Sequence, residues 1–92
     1  MGIRGQYKNK RDGNEAGIFT MLRSHGLIVC PMDTPCDAVV GYGGHSYLVE
    51  VKMPKAPFTK AQKEFLKTWI GNYKRLETVE EAEAFAKKVR AQ

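Results

Sequence analysis

The pair Gly43-Gly44 stands between two β-rich runs, Asp37-Ala38-Val39-Val40-Gly41-Tyr42 and His45-Ser46-Tyr47-Leu48-Val49-Glu50-Val51-Lys52. Two glycines accept positive φ at both central positions, which a two-residue hairpin turn requires. With the glycines at the centre, Tyr42 faces His45, Val40 faces Tyr47 and Asp37 faces Glu50. Strand residues alternate between faces, so Lys52 shares a face with both acids. Ala38, Val40, Tyr47, Val49 and Val51 point the other way. A hairpin apolar on one side needs a second layer to cover it, which points to a layered domain.

The flanking segments supply that layer. Ile18, Phe19 and Leu22 recur at helical spacing, and a helix is expected from about residue 13 to 25. Asp12 is the expected cap, with Glu15 three residues on as in a capping box, and Gly26 is the expected stop. Leu27-Ile28-Val29 reads as a short strand. Pro31 and Pro35 bracket a loop before the hairpin, and Pro54 and Pro57 interrupt the chain after it. Thr59 opens a second helix, with Gln62 as its box partner. Phe65, Leu66, Trp69 and Ile70 are its expected buried face, and Gly71 its end. Tyr73 to Leu76 reads as a last strand. Thr78 and Glu81 open a third helix, with Ala82, Phe85, Ala86 and Val89 on one face. The order α-β-β-β-α-β-α describes a small α/β domain with a mixed sheet flanked by helices. At 92 residues it is one domain, spanning 1–92.

Composition narrows the function classes. No apolar run approaches the roughly 18–20 residues that span a bilayer. The first residues show no apolar signal-peptide segment, which points to a cytoplasmic protein, bacterial or in a phage-infected cell. Two cysteines make no disulfide framework. The formal charge is +5, with 12 basic and 6 acidic residues in 1–75. Residues 1–11 are polar and basic and read as a mobile arm. A basic excess suits a polyanion, nucleic acid above all. Lys8, Lys10 and Arg11 in the arm, with Lys55, Lys60 and Lys63 after the hairpin, are the candidate phosphate contacts. Lys60, Lys63 and Lys67 recur at helical spacing as one ridge. The alternative for each is a solvated charged face.

The chemistry concentrates on one side of the hairpin. Directly opposed strand residues have Cβ atoms roughly 4.5–5.5 Å apart, and two carboxylates so placed repel. The same pair suits a hard divalent cation, which prefers oxygen ligands. A nearby ammonium such as Lys52 orients a metal-bound water or neutralises charge on a phosphate. The alternative is a solvated strand face with an acid–lysine pair. Glu15 adds a third acid in line with the buried face of the first helix, where a carboxylate needs a partner. It points over the sheet towards Asp37 and Glu50, or serves only the helix cap. Both readings stay open.

Asp37, followed after twelve residues by Glu50-Val51-Lys52, resembles the motif of the PD-(D/E)XK nuclease superfamily. The Glu15 helix before it and Thr59-Lys60-Ala61-Gln62-Lys63 after it are similar to the small phage-type members, the VRR-NUC and Holliday-junction-resolvase groups. The resemblance covers residues 10–76. It implies a restriction-endonuclease-like core and a Mg²⁺- or Mn²⁺-dependent endonuclease acting on DNA, duplex or branched. A 92-residue monomer offers a small footprint, so a homodimer is expected. The resemblance implies Asp37 and Glu50 as metal ligands, with the Val51 carbonyl as a further one. Lys52 would position or activate the attacking water, Glu15 would support the metal, and Gln62 would stand near the site. The family's proline usually precedes the aspartate directly, whereas here Cys36 does and Pro35 stands one earlier. Two other functions remain on the same fold: a non-catalytic nucleic-acid-binding module and a protein that binds a host enzyme.

Other candidates are weaker. Cys30, Cys36, His25 and His45 match no common zinc spacing and read as small buried thiols and ordinary histidines. His45 is an expected exposed turn residue. Trp69 continues the Phe65–Leu66 stripe and reads as core.

Overall fold

A computed structural model describes residues 13–92. The arm 1–11 with Lys8, Lys10 and Arg11, and the Asp12 cap, lie outside the described residues. The elements are α1 (Glu15–Ser24), β1 (Ile28–Pro31), β2 (Ala38–Tyr42), β3 (His45–Val51), α2 (Lys60–Thr68), β4 (Tyr73–Leu76) and α3 (Val79–Arg90). They form an α/β fold in the expected order, around one four-stranded sheet in the order β1-β2-β3-β4. β1, β2 and β3 pair antiparallel, and β4 joins β3 in parallel. The parallel pair needs a crossover, which the segment carrying α2 supplies.

The hairpin forms as its glycines require. Gly43 and Gly44 have φ of 59° and 85°, and Tyr42 pairs with His45. Ala38 faces Val49 and Val40 faces Tyr47, the register read from the sequence. Ala38, Val40, Tyr47, Val49 and Val51 are all buried, with Leu76 of β4 beside them. This inner face carries α1 and α3. Ile18, Phe19 and Leu22 of α1 meet Ala82, Phe85, Ala86 and Val89 of α3 in the same core cluster. Tyr47 and Phe85 meet edge to face at 5.3 Å. The two helices approach closely at Gly17, where an added Cβ would lie 3.3 Å from the Val79 side chain.

α1 ends as expected and starts differently. Gly26 adopts φ 86°. Its amide bonds Arg23 O at 2.9 Å and the Leu27 amide bonds Leu22 O at 3.3 Å, a Schellman arrangement. At the other end the N-cap is Asn14, whose side chain makes no cap bond. Glu15 is therefore the first helical residue, not the third. Asn14 is drawn away because its side-chain amide bonds two carbonyls elsewhere in the fold.

α2 departs most from expectation. Its capping box is complete, with Thr59 and Gln62 bonded reciprocally. Yet none of its residues is buried. It ends at Thr68, the backbone turns extended at Trp69, and Ile70 is 98% exposed. Phe65 and Leu66 are half-buried, and Trp69 retains 39% of its surface. The reading of Trp69 as core is thus corrected. The chain leaves the helix before the stripe completes its second turn, so its last two members are carried out towards solvent.

Candidate active site on the outer sheet face

Asp37 immediately precedes β2, one residue beyond the Ala38–Val49 pair that ends the antiparallel ladder. Its amide bonds Val49 O at 3.0 Å and its carbonyl accepts the Met32 amide at 2.8 Å. Its carboxylate Oδ2 accepts the Val51 amide at 2.7 Å. That bond draws the aspartate across to the Glu50-Val51-Lys52 stretch. Glu50 lies between the inward-facing Val49 and Val51, so it projects from the outer face, and it is only 5% exposed. A carboxylate so covered needs donors. One is Gln62, whose Nε2 donates to Glu50 Oε2 at 2.8 Å. Gln62 Oε1 meanwhile accepts the Thr59 amide at 2.8 Å. The cap and the site contact are therefore simultaneous, because the two ends of one amide serve them separately. α2 lies over the outer face through this tether.

Lys52 follows β3 directly. Its amide bonds Leu76 O at 3.1 Å, and its carbonyl accepts Asn14 Nδ2 at 3.1 Å. The same Asn14 nitrogen donates to Glu77 O at 2.6 Å. One side chain thus joins the start of α1 to the ends of β3 and β4 and fixes the backbone that presents Lys52. In the parallel register Arg75 of β4 lies beside Glu50. Its Nε bonds Glu77 Oε2 at 2.8 Å, its Nη2 bonds Ala56 O at 2.6 Å, and its guanidinium lies 4.8 Å from the Phe58 ring centroid. It anchors the crossover loop next to the acid pair.

Two further groups feel the acids. Burial, then the charges of Glu50 and Asp37, push the Cys36 thiol up to about 11. Burial and Glu50 raise the Tyr73 phenol as well. Both effects place neutral, proton-holding groups around a negatively charged centre.

The structure brings together Asp37, Glu50, Val51, Lys52 and Gln62. Glu15 is 9% exposed at the start of α1, but it does not complete a ligand set. Among the described residues no three of His, Cys, Asp and Glu gather so as to hold a metal ion. The imagined Cys/His zinc set is not among such groups either. Cys36 is buried, but Cys30 is exposed on β1, unlike the buried thiol expected. His45 is exposed at the turn. Lys55, Lys60, Lys63 and Lys67 are exposed, with Lys67 paired to Glu64 at 3.1 Å. Lys55 adopts φ 68°, an uncommon left-handed conformation for a side-chain-bearing residue, one step after Pro54.

Sequence reasoning missed Asn14, Arg75, Tyr73 and Cys36 as neighbours of the site. Cys36 stands beside Asp37 in the chain, which is a usable signal. The other three arrive through α1 and the parallel strand, which no local pattern encodes.

Carboxylates on β3 and on the residue just before β2, the first of them deeply covered, are hard-oxygen donors of the kind Mg²⁺ and Mn²⁺ take. Among the described residues no helix is long and apolar enough to cross a membrane. Compared with known proteins, the chain matches no family model, no curated protein and no solved structure.

Proposed function

We propose that this protein is a Mg²⁺- or Mn²⁺-dependent DNA endonuclease with a restriction-endonuclease-like core of the PD-(D/E)XK kind. The observation that carries the reading is the convergence of Asp37 and the Glu50-Val51-Lys52 stretch at the end of the hairpin, where the Asp37 carboxylate accepts the Val51 amide and the Lys52 carbonyl is clamped by Asn14. Two carboxylates brought to one end of a hairpin repel unless a bound group offsets the repulsion. Asp37 and Glu50 would hold the cation, with the Val51 carbonyl as a further oxygen. When bound, the ion would supply charge neutralisation at the scissile phosphate and a more acidic water. The chain's own residues do the rest. The Val51 amide fixes the Asp37 carboxylate, and Gln62 fixes that of Glu50. Lys52 orients the attacking water oxygen towards phosphorus. The water oxygen bonds to phosphorus and gives up a proton to solvent, the bond to the leaving sugar oxygen breaks, and that oxygen takes a proton from solvent. Exposed Lys55, Lys60 and Lys63 give the DNA backbone a sequence-independent footing. A homodimer would place two such sites on a twofold axis, suited to symmetric cleavage of branched DNA.

The exposed lysines Lys55, Lys60 and Lys63 also suit one other reading, a non-catalytic nucleic-acid-binding module. The two separate on the Asp37→Ala variant. The nuclease reading expects this variant to bind DNA as wild type does and to cut nothing, with wild-type cleavage abolished by EDTA. Wild-type protein that binds DNA with salt-dependent affinity but never cuts it, with either metal, would move the assignment to the binding module. Dimerisation is checked by sedimentation: a monomer mass throughout the micromolar range would rule the twofold arrangement out.

A further inference from the structure

We propose that Trp69 is a stacking platform for an unpaired nucleobase beside the scissile phosphate, so that the substrate is nucleic acid with locally single-stranded character. The inference rests on the nuclease reading of Asp37 and Glu50 and adds a specificity residue to it. Gln62, Phe65, Leu66 and Trp69 lie on one face of α2, at i, i+3, i+4 and i+7. Gln62 touches Glu50. Seven residues at 1.5 Å rise put Trp69 about 10 Å further along that face. That is about three steps of a stacked strand at roughly 3.4 Å each, and fewer of an extended one.

The indole is held in place although it is exposed. Its Nε1 donates to Asn72 O at 3.1 Å, and its ring stacks on Phe65 at 5.4 Å and 23°. A Cβ added at Gly71 would crowd the ring, so the bare glycine backbone lies against the indole. An aromatic ring held by these contacts loses little entropy when a base stacks on it, and the residue as a whole keeps 39% of its surface exposed. The lysine ridge of the same helix, Lys60, Lys63 and Lys67, is exposed and supplies the charge a polyanion needs. Within a duplex both faces of each base are already covered by neighbours. Stacking on protein therefore selects an unpaired base.

Trp69 is the sole tryptophan, so its fluorescence reports the contact directly. The test titrates the full chain with a mixed-sequence single strand, the same strand carrying abasic sites, and a blunt duplex, all in EDTA. The expected result is saturable quenching by the single strand, absent with the duplex. Trp69→Ala should bind the single strand about tenfold more weakly, should bind the abasic strand as wild type does, and should be partly rescued by Trp69→Phe. Each variant's melting curve and sedimentation mass accompany the titration. Unchanged single-strand affinity in a folded Trp69→Ala protein would overturn the proposal. So would quenching of equal depth by the duplex, or a dimer lost on substitution with DNA affinity intact, which would make the indole a contact between copies. A Trp69→Phe protein binding the single strand no better than a folded Trp69→Ala protein would also overturn it. The nuclease reading fails separately, by absence of metal-dependent cutting while the Trp69 contact persists.

Discussion

The two faces of the sheet are built by different rules. The inner face carries Ala38, Val40, Val49, Val51 and Leu76, sealed by α1 and α3 into one apolar cluster. The outer face carries Asp37, Glu50, Lys52 and Arg75, and the helix over it buries no residue of its own. α2 is held instead by a capping box, by the Gln62–Glu50 bond and by partial cover of Phe65 and Leu66. Apolar burial is non-directional and tolerates sliding, whereas two hydrogen bonds from one amide fix a single geometry. The stable face thus supplies rigidity, and the polar face spends little of that stability while holding a charged centre in register.

The sharpest way to break this comparison is to substitute one residue on each face. Glu50→Gln should reduce metal-dependent cleavage to background with the melting temperature nearly unchanged or raised, because a crowded charge is removed. Leu76→Ala should do the reverse, costing about 2–5 kcal/mol of stability. That is a large part of the roughly 5–15 kcal/mol available to a domain. Chemical denaturation and a cleavage assay on both variants check it. A Glu50→Gln protein that unfolds would show that the outer face is structural after all.

A smaller effect is expected at Gln62. Gln62→Ala removes the donor to Glu50 and one half of the α2 cap. Loss of such a partner typically lowers metal affinity or activity about 10–100-fold. Thr59→Ala removes the other half of the cap and should cost about 1 kcal/mol while leaving the Glu50 contact in place. Metal titration followed by calorimetry separates the two. Equal loss of metal affinity in both would mean that helix position, not the amide bond, matters.

Local stability should differ in the same direction. Amides in the middle of α2 should exchange with solvent faster than those of α1 and α3, because few buried apolar contacts oppose opening of α2. Hydrogen exchange read residue by residue checks this. Equal protection in all three helices would contradict the division of labour between the faces.

The mildest expected effect is on pH. The Cys36 thiol is held up to about 11, above the roughly 8.5 of a free thiol. Its folded form keeps the proton that its unfolded form loses. The resulting stability is complete below the free value and declines as pH rises towards about 11. Cys36→Ala should flatten that decline in melting temperature between pH 9 and 11. Glu50→Gln should shift it downward, since Glu50 is the larger of the two charges that act on the thiol.

What the sequence shows well is what short-range geometry decides. Two adjacent glycines define the turn, and the turn defines the register from Tyr42–His45 to Ala38–Val49 without knowledge of any other element; at Asp37 the expected pairing with Glu50 gives way to a bond from its amide to Val49 O. The buried stripe of α3 follows in the same way from its own spacing. Contacts settled by distant parts of the chain stay hidden. Asn14 gives up capping its helix because two carbonyls, on Lys52 and Glu77, lie within its reach. Arg75 comes beside Glu50 only through a parallel register. The stripe of α2 reads as core, yet the helix stops at Thr68 and its last apolar residues face outward, since spacing reveals a face but not what covers it.

The most direct test of the central claim is cleavage of labelled DNA, a four-way junction beside a linear duplex. Wild-type protein and Glu50→Gln are compared in Mg²⁺, in Mn²⁺ and in EDTA. Metal-dependent cutting by the wild type, lost in EDTA and in the variant, is the expected result, with symmetric nicks in the junction if two sites act together. Failure to cut either substrate with either metal, by protein that still binds both, would contradict the account and leave Asp37 and Glu50 as a charge pair without chemistry.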